Sequence, residues 1–181
     1  MNQFLIATSN LDGSPFERAV IYIFQHNAEG AMGVVINRSV DMKLGEIFRQ
    51  LEINVISPTL KEQAVLAGGP LQPQSGFVIH PPHGEWTSSI IMNSNIAVTT
   101  SKDILMAIAS GQFLDPAILA LGYAGWGAGQ LETEIARNDW LSAPVSENII
   151  YHTPLKLRWE QAIHLLGIKD VAQLSSWAGH A

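Results

Sequence analysis

GYAGWGAGQLE, residues 122–132, sets Gly122, Gly125, Gly127 and Gly129 around a tyrosine and a tryptophan, directly after the apolar run AILAL at 117–121. Glycine costs conformational entropy in regular structure, so a cluster implies unusual dihedrals, a ligand approaching the backbone, or tight packing of another segment. The run before it reads as a strand, and Leu131 and Ile135 after it read as a short helix. A glycine loop between a strand and a helix is where phosphates bind, because free amides at a helix start attract anions. The match ends there. The stretch lacks the Lys-Ser/Thr pair of a P-loop, its glycines are not spaced G-x-G-x-x-G, and Glu132 and Glu134 would repel a phosphate. Two readings stay open: a tight turn that lets a helix approach a sheet, or a surface where Tyr123 and Trp126 stack on a ligand or anchor a partner. An exposed Trp126 favours the second.

Upstream, Phe4 to Ala7 and Ala19 to Gln25 read as strands, the second an apolar run suited to burial on both faces. HNAEG at 26–30 has the composition of a hairpin loop, and GVVIN at 33–37 is the returning strand. Leu44, Ile47, Phe48 and Leu51 form one helical stripe, with Asp41 near its start as a cap. Ala64 to Ala67, Phe77 to His80, Ile90 to Met92 and Ile96 to Thr99 are short strands between turn signals. TSKD at 100–103 fits a capping box opening a helix that stops at Gly111. Downstream, Ile149 to Tyr151 reads as a strand between Pro144 and Pro154, and Trp159, Ile163 and Leu166 mark a last helix ending at Gly167. The tryptophan in the closing SSWAGHA predicts that this segment docks on the body. No repeat or linker interrupts the order, so residues 1–181 are expected to form one compact α+β (mixed α/β) domain with about four helices.

Composition narrows the function. The chain is 47% hydrophobic and only 14% charged, well under the roughly 25% of an average soluble domain. Ten basic against sixteen acidic residues leave a net charge of −6, few cations to neutralise phosphates, so direct DNA or RNA binding is not expected. The absence of cysteine removes thiol nucleophiles, disulfides and thiolate metal sites. No apolar run reaches the roughly 20 residues that span a bilayer, and the N-terminus lacks a basic flank, so a cytoplasmic location is expected, without membrane contact.

His80, His83 and Glu85 place two imidazoles and a carboxylate within six positions, a spacing that fits no standard metal site. Neither a G-x-S-x-G elbow nor an H-E-x-x-H helix occurs. Ser101, His80 and Asp103 are better explained by a helix cap and a strand end than by a triad. No metal or other cofactor is nominated.

MGVVINR at 32–38, LAGGP at 66–70, GFVIH at 76–80, TTSKDIL at 99–105, GYAGWGAGQLE, the segment Asn138-Asp139-Trp140-Leu141 and the closing GHA together closely resemble the YqgE/AlgH family, in the same order over nearly the whole chain. The resemblance implies a bacterial cytosolic protein whose bifurcated sheet curls toward a pseudo-barrel. It implies no defined reaction; members are labelled transcriptional regulators through a genetic link to alginate production in one branch. Two positions depart from the pattern: Arg18-Ala19-Val20 stands where the family usually reads Arg-Ser-Val, and Ser75 where an arginine usually precedes GFV.

Strand ends, helix starts and glycine loops are where sheets hold ligands. They place a shallow binding site at Asn37, Arg38, Gly68, Gly69, His80, Thr100, Ser101, Tyr123, Gly125 and Trp126. The expectation is a binding or regulatory module for a small molecule or a protein partner. The alternative is an enzyme on a small polar or phosphorylated metabolite, with Arg38 and the Ser101 helix start holding the anion and Asp103 or His80 moving protons.

Overall fold

The computed structural model describes residues 2–169, so the closing SSWAGHA and its expected docking lie outside the described residues. The chain opens with strands β1 (Gln3–Ala7), β2 (Val20–Asn27), β3 (Gly30–Val35) and β4 (Ser39–Lys43). Helices α1 (Leu44–Gln50) and α2 (Pro58–Lys61) follow, then β5 (Ala64–Ala67), β6 (Leu71–His80), β7 (Ser89–Ile91) and β8 (Ala97–Thr99). Helix α3 (Lys102–Ser110) leads into β9 (Ile118–Gly127), α4 (Gln130–Ala136), β10 (Trp140–Pro144) and α5 (Arg158–His164). The architecture is α+β.

The main strand order is β10-β1-β2-β3-β9-β6-β8-β7, with β5 pairing β9 and β4 pairing β5 as a side branch. The branch point is the glycine-rich stretch itself. Residues Ala124 to Gly127 of β9 pair antiparallel with β3, while Ala120 and Leu121 pair parallel with Leu66 and Ala67 of β5. Gly122, at φ +72°, stands between the two pairings and turns the strand from one partner to the other. A β-carbon there would lie 2.4 Å from the Gly69 carbonyl oxygen, so only glycine fits. The expected loop between a strand and a helix is corrected: the strand continues through Gly127, and only Ala128 and Gly129 separate it from α4.

Alternation explains the layers. Phe4 and Ile6 with Val20, Tyr22 and Phe24 face a core shared with β6, β8, β10 and α5. Leu5 and Ala7 with Ile21 and Ile23 face a second core closed by Trp126, Leu131 and Trp140. Strand β2 is thus buried on both sides, as its apolar run predicts. Strands from both ends of the sheet meet in one core, so the sheet is curled around α5. On the far face of β5, β6 and β9, α1 and α3 bury Leu44, Phe48, Ile104 and Ile108 in a third core.

Three local expectations are corrected. Asp41 is not a cap but sits mid-strand in β4; α1 begins after Lys43, whose amide donates to Glu46 Oε2 at 2.9 Å. Thr100 is not the cap of α3 either. Ser101 is, and Asp103 does not close a box on it. Ile149 to Tyr151 is a wide helical turn of π type, Asn148–His152, rather than a strand. Adjacent Ile149 and Ile150 are both buried in the same core, which a strand's alternation forbids and a helical turn allows. Gly111 does end α3, at φ +75°.

Candidate functional site

Asn37 and Arg38 follow β3 and hold the segment that precedes β2. Asn37 Oδ1 accepts from the Val20 amide at 2.9 Å and its Nδ2 donates to the Arg18 carbonyl at 2.8 Å. The Arg38 guanidinium donates to the Pro15 and Glu17 carbonyls. Gly68 and Gly69 pack backbone to backbone on β9: a β-carbon on Gly69 would come within 2.1 Å of the Tyr123 carbonyl carbon. Tyr123 is half-buried with its ring 5.8 Å from Phe77, and Gly125 is exposed. Trp126 is buried, contrary to what a stacking surface needs. Its Nε1 donates to Glu134 Oε2 at 2.8 Å, and Trp140 Nε1 donates to the same oxygen at 2.9 Å. Burial raises the Glu134 pKa, but the bonds from Trp140, Gln130 and Trp126 and the charge of Arg137 outweigh it, leaving the pKa below its ordinary value.

His80 is fully buried. Its Nδ1 donates to the Pro81 carbonyl at 2.6 Å, and Nε2 lies 2.7 Å from the Thr99 hydroxyl, which also bonds Ser89 Oγ at 2.8 Å. Burial pushes its pKa down, so the ring is neutral at pH 7. His83 instead pairs with Asp115 at 2.7 Å, and no group of three or more potential metal ligands occurs among the described residues.

Of the ten residues nominated by sequence, Thr100 and Ser101 share a cavity of about 390 Å³ with Met42, Leu51, Val78 and Leu105. The others are spread over the end of β3, the β5–β9 contact and the floor under β8. The Ser101 hydroxyl donates to Asp103 Oδ1 at 2.5 Å, and Asp103 Oδ2 accepts from the Thr87 amide and hydroxyl at 2.7 and 2.8 Å. Burial opposes the Asp103 charge; the bonds from Ser101, Thr87 and Ile104 outweigh it and hold the pKa down to about 2. Polar atoms at this helix start are therefore tied to the neighbouring loop.

A second groove, of about 780 Å³, lies between α2, the end of α3 and the segment from the π turn to α5. Its apolar lining includes Leu60, Leu66, Ile108, Phe113 and Leu155. Two polar groups there are only partly used. The Tyr151 hydroxyl is buried with no hydrogen-bond partner among the described residues. Arg158 is 5% exposed; Nε donates to the Thr153 carbonyl at 2.9 Å and Nη1 to the Ile36 carbonyl at 2.6 Å. Neither carbonyl neutralises its charge, and burial brings its pKa down to about 10. A buried polar atom without a partner costs about 1–3 kcal/mol and calls for a ligand or solvent to satisfy it.

Sequence reading missed both residues. Tyr151 was hidden in an expected strand, and Arg158 precedes the Trp159 stripe as a surface arginine would. The one available signal was that Arg158 stands four residues before Ala162, on the buried side of the last helix.

Comparison with known proteins places the chain. Residues 4–170 match the family model DUF179, described as AlgH-like. A UPF0301 protein of Xanthomonas axonopodis pv. citri is 45% identical over 99% of this chain and 95% of its own length. Another, of Methylococcus capsulatus, is 44% identical over the same shares of the two chains. The solution structure of the AlgH protein from Pseudomonas aeruginosa superposes with a TM-score of 0.81 at 37% identity, covering 99% of this chain and 95% of that one. A crystal structure of a Corynebacterium diphtheriae protein superposes with a TM-score of 0.70 at 21% identity, over 96% of this chain and 90% of that one, and speaks to the fold alone.

Proposed function

The chain belongs to the AlgH-like family, and we propose that it works as a binding module whose small-molecule ligand occupies the groove between α2, the end of α3 and the Asn148–Arg158 segment. The observation that carries this reading is the Tyr151 hydroxyl, a buried donor left unused beside an apolar groove of ligand size. The enzyme reading has less support. Arg38 is spent on two carbonyls, both His80 nitrogens are engaged, and Asp103 already accepts several hydrogen bonds.

Nuclear magnetic resonance with isotope-labelled protein and a fragment library tests it. Hits are expected to shift the amides of Leu60, Ile108, Phe113 and Tyr151. Hits confined to the Thr100–Ser101 cavity, or none at all, would overturn the groove as the site.

In the same reading, any regulatory effect passes through this ligand or a protein partner rather than through DNA, because a net charge of −6 leaves few cations for phosphates. Competitor-resistant binding of genomic fragments in a low-salt gel shift would refute that.

A further inference from the structure

Resting on that groove as the binding site, we propose that its ligand is an amphipathic monocarboxylate, with the carboxylate held by Arg158 and Tyr151 and the carbon chain lying on Leu60, Ile108, Phe113 and Leu155. Charge comes first. Arg158 is nearly fully buried, and no carboxylate among the described residues forms an ion pair with it. Its Nη2 has no acceptor there. A buried cation without a counter-ion is costly, and an arriving anion removes that cost. At neutral pH the guanidinium stays charged, since its lowered pKa of about 10 still lies well above 7.

Local charge and the buried donors decide which anion. Among the other polar side chains lining the groove, Gln63 Nε2 donates to the Ala117 carbonyl at 2.6 Å, and the Thr153 hydroxyl to the Asn148 carbonyl at 3.0 Å. The Ser110 hydroxyl donates to the Ala107 carbonyl at 3.2 Å, and Ser57 Oγ accepts from the Leu60 amide at 3.3 Å. The buried donors left over are Arg158 Nη2 and the Tyr151 phenol, one for each oxygen of a carboxylate, while the exposed Ser57 hydroxyl keeps its proton at the rim. Burial, with the charges of Glu147 and Asp115, pushes the Tyr151 pKa up, so the phenol keeps its proton and donates. Asp115 also lines the groove. A phosphate dianion would meet that negative charge with twice the repulsion, whereas a single negative charge is matched by Arg158. The rest of the lining is apolar, and Ile56 and Leu114, 84% and 88% exposed, extend it at the rim toward a hydrocarbon tail.

The test is a titration calorimetry series with octanoate, octanol, octylamine and octyl phosphate, all carrying the same chain. Octanoate is expected to bind at least about tenfold tighter than the alcohol or the amine. Tyr151→Phe, which removes a hydroxyl with no internal partner and so leaves the fold intact, should weaken octanoate by about tenfold and leave octanol unchanged. Arg158→Lys should abolish the preference for octanoate if it folds; the head-group series and Tyr151→Phe decide the matter without it. Equal binding of alcohol and carboxylate, or octanoate binding untouched in Tyr151→Phe, would overturn the carboxylate while leaving the groove as a binding site. Tighter binding of octyl phosphate would overturn the single charge, and failure of all four probes would overturn the groove and its ligand together.

Discussion

The glycine-rich strand β9 and the segment Asn148–Arg158 border the same core, yet they use polarity in opposite ways. In β9 the rare residues are consumed by the fold. Gly122 lets the backbone approach Gly69, and the Trp126 and Trp140 indoles donate to one Glu134 oxygen. In the second segment the residues look ordinary, but Tyr151 and Arg158 keep donors that nothing among the described residues takes up. Rarity of residue type reports a constraint on the backbone. Unspent hydrogen bonding reports a site, and it can be counted only once every partner has been placed.

Substitutions that exchange these roles would break the contrast, and Gly122→Ala is expected to do the most damage. A left-handed φ of +72° and a β-carbon 2.4 Å from a carbonyl oxygen combine strain and overpacking, together about 4 kcal/mol. For a chain of this size that lowers Tm by roughly 8–16 °C in a calorimetric scan. A loss below about 1 kcal/mol would mean that the strand is not pinned at its branch point.

Glu134→Gln should cost less, about 1–2 kcal/mol at pH 7, because an amide cannot accept at both oxygens. Its effect has a pH signature. The folded pKa of Glu134 is lowered, so its contribution is fully present above the ordinary carboxylate value of 4.5 and is lost as pH falls through the folded value. Urea unfolding across that acid window should show a flatter limb in the variant. An unchanged limb would detach the tryptophan pair from this carboxylate.

Tyr151→Phe is expected to have the smallest effect on stability, from none to a gain of about 1 kcal/mol, since it deletes a buried hydroxyl without a partner. Denaturant titration checks it. A loss of more than about 1 kcal/mol would show that the hydroxyl is satisfied within the protein, and the contrast between the two regions would collapse.

Much of the fold is legible in the order of residues. The apolar runs of β1 and β2, the hairpin between β2 and β3, the α1 stripe and the Gly111 stop follow from local patterning and backbone preference, which act over a few neighbours. Errors came where a distant partner set the outcome. Asp41 reads as a cap until β4 pairs with β5, and Ile149 and Ile150 read as strand until one core takes both. Among the nominated site residues, Asn37, Arg38 and His80 carry suitable chemistry, but which carbonyls they bond is a property of segments that folding brings together.

By itself the sequence determined the strand and helix periods, the acidic and cysteine-free chemistry, and that residues 122–129 need unusual backbone freedom. Only the tertiary structure decided that those glycines serve the backbone, and that an unpaired arginine and an unpartnered tyrosine line one groove. The reason is physical: a period or a dihedral preference is carried by a residue and its neighbours. Whether a donor is spent depends on every group folding places within about 3 Å of it.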